Sequence, residues 1–344
     1  MVCFSTKYMG MEISSPLVLG ASDLSLSPNI VMDAMDNGIG AVVYPTLFEE
    51  VAMMNQFSES QQRKYEIKQH AKRNMFPFVR HGDLHAHLSN VRDLVKRLNV
   101  PVIGSLNCLH PDAWVTYAKA LEDQGVKGIE LNFCVPNFSW SYNSKHTELE
   151  QCRIVELLKS NLHIPVAAKL SPYFTNLLHH VKLLDRAGVD SLVLFGNPIF
   201  PDINTQTEQM SFDVDVTSDS ILHRSFPFIG KLYSNIIAEL IGSGGVRNGY
   251  DIVKMILAGA ESVQVVSTVY RHKVEYIPRM LEELKGWMAS KGYDRLEDFR
   301  GNLSIECRES KRIFSRKGYV DMMIHSTNVA KKYPLKKMTE KLTL

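Results

Sequence analysis

Eight short apolar runs, separated by stretches with helical period, narrow the folds open to this chain more than any other feature. In order they are "PLVLGAS" (16–22), "GAVVYPT" (40–46), "VPVIGSLN" (100–107), "GIELNF" (128–133), "IPVAAKLSP" (164–172), "DSLVLFGN" (190–197), "ELIGSGG" (239–245) and "SVQVVST" (262–268). The fourth run shows why they are strands. Ile129, Leu131 and Phe133 fall on one parity and Glu130, Asn132 and Cys134 on the other, the period of an extended chain with one apolar and one polar side. Between the runs lie "HPDAWVTYAKALEDQG" (110–125), "TELEQCRIVELLKSN" (147–161), "FTNLLHHVKLLDRAG" (174–188) and "RNGYDIVKMILAGA" (247–260). Three of the four close on Gly or Asn, as helix C-termini do. Strands alternating with helices require a parallel sheet, and eight such units are the count of a closed (β/α)8 TIM barrel, an α/β fold. A doubly wound open sheet is the alternative. It would place its glycine-rich turn after the first strand, whereas here that turn follows the seventh.

The barrel then spans 16–302, preceded by a hairpin in 1–15 that caps its floor and followed by a C-terminal extension, 303–344, with a long excursion over 47–99. No linker rich in Pro, Gly or Ser divides the chain, so 1–344 reads as a single domain. A content of 45% hydrophobic and 22% charged residues supports one large core. The net charge of +2 offers no field for nucleic acid, and the basic "KKYPLKKMTEKLTL" reads as a solvated tail. Neither an apolar run of membrane-spanning length nor a signal-peptide layout is present, so the expected setting is the cytoplasm, with no membrane partner. Five cysteines, an odd number without a Cys-x-x-Cys pair, fit reduced thiols and give no framework for zinc or an iron–sulfur cluster. The histidine group "HGDLHAH" (81–87) reads as a loop entering a helix rather than as a metal site, so no metal is expected.

In a closed barrel the C-terminal strand ends converge on one mouth, where active sites lie. Asn107, Asn132 and Cys134 should stand at that rim, with Asn137, just past Pro136, as the candidate substrate contact. Lys169 follows two alanines on the fifth strand, where an interior cation needs an anionic or polar partner; that partner is either a ligand or Glu130. After the seventh strand, Gly244 and Gly245 precede a helix, and glycines of this kind let amides approach an anion. Ser267 and Thr268 on the eighth strand supply hydroxyls beside them. A phosphate at strands seven and eight, with a lysine and two asparagines at strands three to five, describes a ligand lying across the mouth, and flavin mononucleotide (FMN) fits. Lys169 would then stand by the N1 and C2 carbonyl region, where positive charge stabilises the reduced flavin.

"LNFCVPN", "IPVAAKLSPYF", "LIGSGG" and "ILAGAESVQVVST" resemble the dihydroorotate dehydrogenases, FMN-dependent (β/α)8 barrels of pyrimidine biosynthesis, over about Pro16 to Asn302. "KLSPYFTNL", "LVLFGNPIFPDIN" and "GWMASKGYDRLEDFRG" are similar to the dihydroorotate-dehydrogenase-like members. The resemblance implies that Ala21 and Ser22 line the flavin, that Asn132 and Lys169 bond to its ring, and that Gly244, Gly245 and Ser267 hold its phosphate. The implied activity is hydride transfer from a CH–CH group of a small-molecule substrate; a homodimer is left open. The departures are specific. Pro45-Thr46 stands for the family's Lys-Ser, Val135 for its cysteine base, Val266 for a glycine, and the loop Asn-Ser-Met-Gly-Leu has no counterpart in 47–99. They argue against dihydroorotate as the substrate. Cys134, one residue early, is the candidate proton acceptor, with Lys169 expected to lower its pKa. Two other readings remain: a barrel without catalysis that binds a phosphorylated ligand or serves as a noncatalytic subunit, and a flavin-free lyase or isomerase using Lys169 as a Schiff-base nucleophile.

Overall fold

A computed structural model describes residues 2–53, 84–134, 140, 143–197, 201–211 and 221–324. The chain runs from an antiparallel hairpin, β1 (Thr6–Tyr8) and β2 (Met11–Ile13), into β3 (Leu17–Leu19), α1 (Pro28–Asp36), β4 (Ala41–Val43), the short β5 (Leu47–Phe48) and α2 (Glu49–Ala52). Next come α3 (Leu84–Arg97), β6 (Val102–Asn107), α4 (Pro111–Glu122), β7 (Gly128–Phe133), α5 (Ser144–Lys159), β8 (Val166–Leu170), α6 (Leu177–Arg186) and β9 (Ser191–Leu194). A second hairpin, β10 (Asp202–Asn204) and β11 (Gln209–Ser211), leads to α7 (Leu222–Leu232), β12 (Glu239–Ser243), α8 (Gly249–Ala258), β13 (Ser262–Val265), α9 (Ser267–His272) and α10 (Ile277–Lys291). Two short helices, α11 (Arg308–Ile313) and α12 (Arg316–Ile324), follow.

Strands β3, β4, β6, β7, β8, β9, β12 and β13 pair in parallel in that order, and β13 returns to β3 through Val263↔Leu17 and Val265↔Leu19, closing the barrel. These are the eight runs of the sequence; 128–133 is a strand over its whole length and the others are shortened at one or both ends. Alternation sorts their side chains. Val18, Ala41, Val43, Ile103, Ala167, Val193 and Ile241 point inward, while Leu17, Leu19, Val42, Leu106, Ile129, Leu131, Leu192 and Val263 pack under the helices. A parallel barrel is buried on both faces, which is why most strands read as nearly continuous apolar runs.

The β1–β2 hairpin closes the N-terminal end. Its turn residues Met9 and Gly10 have φ of 53° and 77°, the left-handed pair that a tight hairpin needs. Tyr8, Met9 and Ile13 enter the inner core. Gly128 makes room for them, since a Cβ there would lie 2.7 Å from the Met9 methyl. The Gly10 amide donates to Glu239 Oε1 at 3.0 Å, fixing the turn to β12.

The helices start where side chains cap them. Asn143, Asn176 and Asn248 accept from the amides of His146, His179 and Asp251, so α5, α6 and α8 begin just after these asparagines. The β10–β11 hairpin was not foreseen; nearly all of its residues are exposed, so burial left no pattern to read. Among the described residues no helix is long and apolar enough to cross a membrane.

His180 on α6 gives the fold a measurable acid sensitivity. It is fully buried, stacks on Phe174 at 4.7 Å, and has Nε2 2.7 Å from Gln151 Oε1 on α5. Burial, helped by His179, holds its pKa down to about 4 from 6.5. The unfolded chain therefore takes up this proton first, and the contribution is complete above pH 6.5 and is lost as pH falls toward 4. Urea midpoints measured across that window should decline, with a shallower slope in His180→Leu; equal slopes would remove His180 from the account.

Candidate active site

Four polar side chains meet inside the barrel. Lys169 of β8 donates to Glu130 Oε1 of β7 at 3.2 Å and to Gln264 Oε1 of β13 at 2.8 Å. The Gln264 amide nitrogen donates in turn to Glu130 Oε2 at 2.5 Å and to the Tyr8 hydroxyl at 3.0 Å. The amide can face only one way, because the ammonium has hydrogens alone to offer and the carboxylate only accepts. Glu130 is fully buried and Lys169 keeps 13% of its side chain exposed toward the mouth. Two of the three ammonium hydrogens are engaged, which leaves one for the mouth. Burial, with Glu130 adding to it, pushes the Tyr8 phenol well above its ordinary pKa, so it stays neutral. The pairing with Glu130 is the protein partner that a lysine behind two alanines calls for.

A polar belt continues over β4, β6 and β7. Thr46 and Ser105 share a hydrogen bond of 2.9 Å, the Asn132 carboxamide donates to Thr46 Oγ1 at 3.4 Å, and the Asn107 carboxamide donates to the Asn132 carbonyl at 2.8 Å. Thr46 is the second residue of the Pro45-Thr46 pair that stands in the family's Lys-Ser position; the sequence offers no signal for its partner Ser105. Just past the end of β6, buried Glu49 accepts from the amides of Leu109 and His110 and lies 2.6 Å from His110 Nδ1. Burial pushes its pKa up, but these hydrogen bonds outweigh that and hold it below the usual carboxylate value.

Cys134 is a buried, hydrogen-bonded thiol. Its strand ends at Phe133, and the thiol is buried in the turn that follows, where it donates to the Lys169 carbonyl at 3.3 Å. Gly196 makes the space, because a Cβ there would come within 2.1 Å of the sulfur. Burial pushes the thiol pKa up to about 12, outweighing the nearby Lys169 that was expected to lower it. Asn137 and Val135 lie outside the described residues.

At the opposite rim the turn after β12 has Gly244 and Gly245 at φ of 86° and 74°. A Cβ on Gly245 would lie 2.5 Å from the Leu222 amide at the start of α7. The glycines thus serve both a left-handed turn and a close helix approach. Ser267 opens α9 half-buried, and Ala21 and Ser22 are half-buried after β3. The Ser22 hydroxyl donates to the Gly20 carbonyl at 3.1 Å. Thr268, expected on the eighth strand, lies in the first turn of α9; it is buried, and its hydroxyl donates to the Val246 carbonyl at 2.5 Å, which ties α9 to the turn after β12. Val266, which stands where the family has a glycine, lies against Gly20, where an added Cβ would come within 2.9 Å of its methyl. His85 and His87 sit on α3, and among the described residues no group of three or more His, Cys, Asp or Glu is placed to hold a metal.

The sequence model of the family described as dihydroorotate dehydrogenase matches residues 52–288. The chain is similar to the catalytic subunit of dihydroorotate dehydrogenase B (NAD(+)) from Thermoplasma acidophilum, 22% identical over 311 residues, or 88% of this chain and 99% of that protein. With the protein of the same name from Thermoplasma volcanium it is 25% identical over 213 residues, 61% of this chain and 70% of the relative.

Two measurements check this geometry. Glu130→Gln should lose about 3 kcal/mol in urea unfolding, because it strands the Lys169 ammonium, while Glu130→Leu combined with Lys169→Met loses less than the two single changes summed. In native thiol labelling Cys134 should react far more slowly than Cys3 and Cys307, whose pKa values are lowered by hydrogen bonds from Ser5 and from the Ser310 amide. Comparable rates would show that Cys134 is open to solvent.

Proposed function

The chain belongs to the dihydroorotate dehydrogenase family, which matches it over well more than half its length, and we propose that its barrel mouth holds FMN and oxidises a CH–CH substrate other than dihydroorotate. The protein is a flavin-dependent oxidoreductase of that family's kind. The observation that carries the cofactor assignment is Lys169: an ammonium fixed at the mouth by Glu130 and Gln264, with a hydrogen left to donate. The donor set fits a flavin ring, since Lys169 and the Asn132 carboxamide can meet the carbonyl edge of its pyrimidine. The half-buried Gly244 and the Ser267 hydroxyl fit a phosphate across the mouth.

FMN, when bound, supplies the hydride acceptor. The chain's own part is to orient it and to shape the charge around it. Lys169 donates toward the N1 and C2 carbonyl side, where negative charge grows on reduction. Asn132, held by Asn107 on neighbouring β6 and by Thr46 after β4, fixes the ring plane. Gly244, Gly245 and Ser267 anchor the phosphate, Ala21 and Ser22 flank the ring from β3, and Asn137 is assigned to the substrate. Cys134 belongs to the scaffold, which leaves the Val135 position without a replacement base.

The competing reading, a barrel that binds a phosphorylated ligand without turnover, draws on the same engaged thiol. Purified protein incubated with FMN should retain a visible flavin band after dialysis. Lys169→Ala should weaken binding or lower the reduction potential, at a loss of about 2–4 kcal/mol, where the exposed Lys182→Ala on α6 changes neither. Equal behaviour of the two variants removes Lys169 from the site. Anaerobic mixing with dihydroorotate should bleach the flavin slowly or not at all, since losing a general base typically costs about 10² to 10⁴ in rate. Rapid bleaching would restore dihydroorotate as the substrate.

A further inference from the structure

We infer that Tyr8, on the hairpin at the closed end of the barrel, is a positioning residue for Lys169 at the mouth, acting through the side chain of Gln264. Tyr8 is fully buried and Gln264 is 2% exposed, so neither can turn to water. The Lys169 ammonium lies 2.8 Å from Gln264 Oε1 and 3.2 Å from Glu130 Oε1, so the carboxamide shares with the carboxylate in setting the place of the charge.

The carboxamide is itself held by two acceptors on its nitrogen. One is Glu130 Oε2, which also belongs to the ion pair. The other is the Tyr8 hydroxyl, 256 residues away in the chain. With the phenol present, both hydrogens of the nitrogen have acceptors, and Oε1 is left for the ammonium alone. Without it, one buried hydrogen has no partner, and the amide gains by rotating toward whatever acceptor remains. Any such rotation carries Oε1 away from Lys169. Hydrogen bonds in a low-dielectric interior reinforce one another, so a loss at the floor is felt at the rim. No such coupling is visible in local sequence, since Tyr8 lies in an ordinary "TKYMG" turn.

The meaning of the inference rests on the flavin reading, but its test does not. In flavin-free protein, reductive methylation followed by mass spectrometry reports how firmly the Lys169 ammonium is held. Tyr8→Phe should raise the Lys169 rate about fivefold, the equivalent of one lost hydrogen bond. Ile13→Val, which trims the same hairpin without removing a hydrogen bond, should leave it unchanged. In flavin-loaded protein Tyr8→Phe should lower the midpoint potential below those of the wild type and of Ile13→Val, because the donor by the reduced ring is displaced. Unchanged Lys169 methylation in Tyr8→Phe overturns the inference whatever the flavin does, as does a potential that moves equally in Tyr8→Phe and Ile13→Val. A raised methylation rate in a protein that binds no flavin upholds the inference and sinks the cofactor assignment.

Discussion

The ion pair between Glu130 and Lys169 is the constraint on which the rest of this structure turns. A fully buried carboxylate is costly to desolvate unless its charge and its lone pairs are both satisfied, and here that takes side chains from β7, β8, β13 and the N-terminal hairpin. Strands β7 and β13 are not neighbours in the sheet, so their side chains meet only across the lumen of a closed barrel. The polar cluster and the closure of the barrel require each other. Apolar layers of Val18, Ile103, Val193 and Ile241 surround the cluster and keep water from its lower side.

The same constraint explains where chemistry can occur. Glu130, Gln264 and Tyr8 below the mouth are hydrogen-bonded to one another, whereas at the mouth Lys169, Asn132 and Ser267 are only half-buried. These half-exposed donors lie on one side of the barrel. The glycine turn after β12 lies at the same end, kept open by left-handed backbone that a side chain would strain. Residues that look equally polar in the sequence divide accordingly. Ser267 opens toward the mouth, and Thr268, one residue on, turns inward to a carbonyl.

Much of the fold was legible, because eight strands buried on both faces leave eight apolar runs and asparagine caps mark helix starts. The Lys169, Asn132 and Gly244 positions followed from alternation and strand order. What escaped depends on contacts that local periodicity does not encode. Gln264 looks like an incidental polar residue in "SVQVV", and its importance comes from partners on other elements. Cys134 was placed by continuing the alternation of β7 one residue too far; the strand had already ended, and the turn moved the thiol under Gly196. Ser105 is a small hydroxyl in an apolar run, and only its pairing with Thr46 gives it a role.

The floor hairpin has a consequence for how the chain assembles. Thr6 bonds to Glu261, 255 residues away, and to Arg300, 294 residues away, while Tyr8 waits for Gln264. During synthesis at about 5–20 residues per second, the first strands leave the ribosome roughly ten seconds to a minute before their partners exist. The hairpin can settle only after β13 and the segment beyond α10 arrive, so it is made well before its partners and is among the last elements to find its place. Contacts of such long sequence separation make for slow folding, and until they form the apolar faces of Met9 and Ile13 are exposed to the cell's chaperones and proteases.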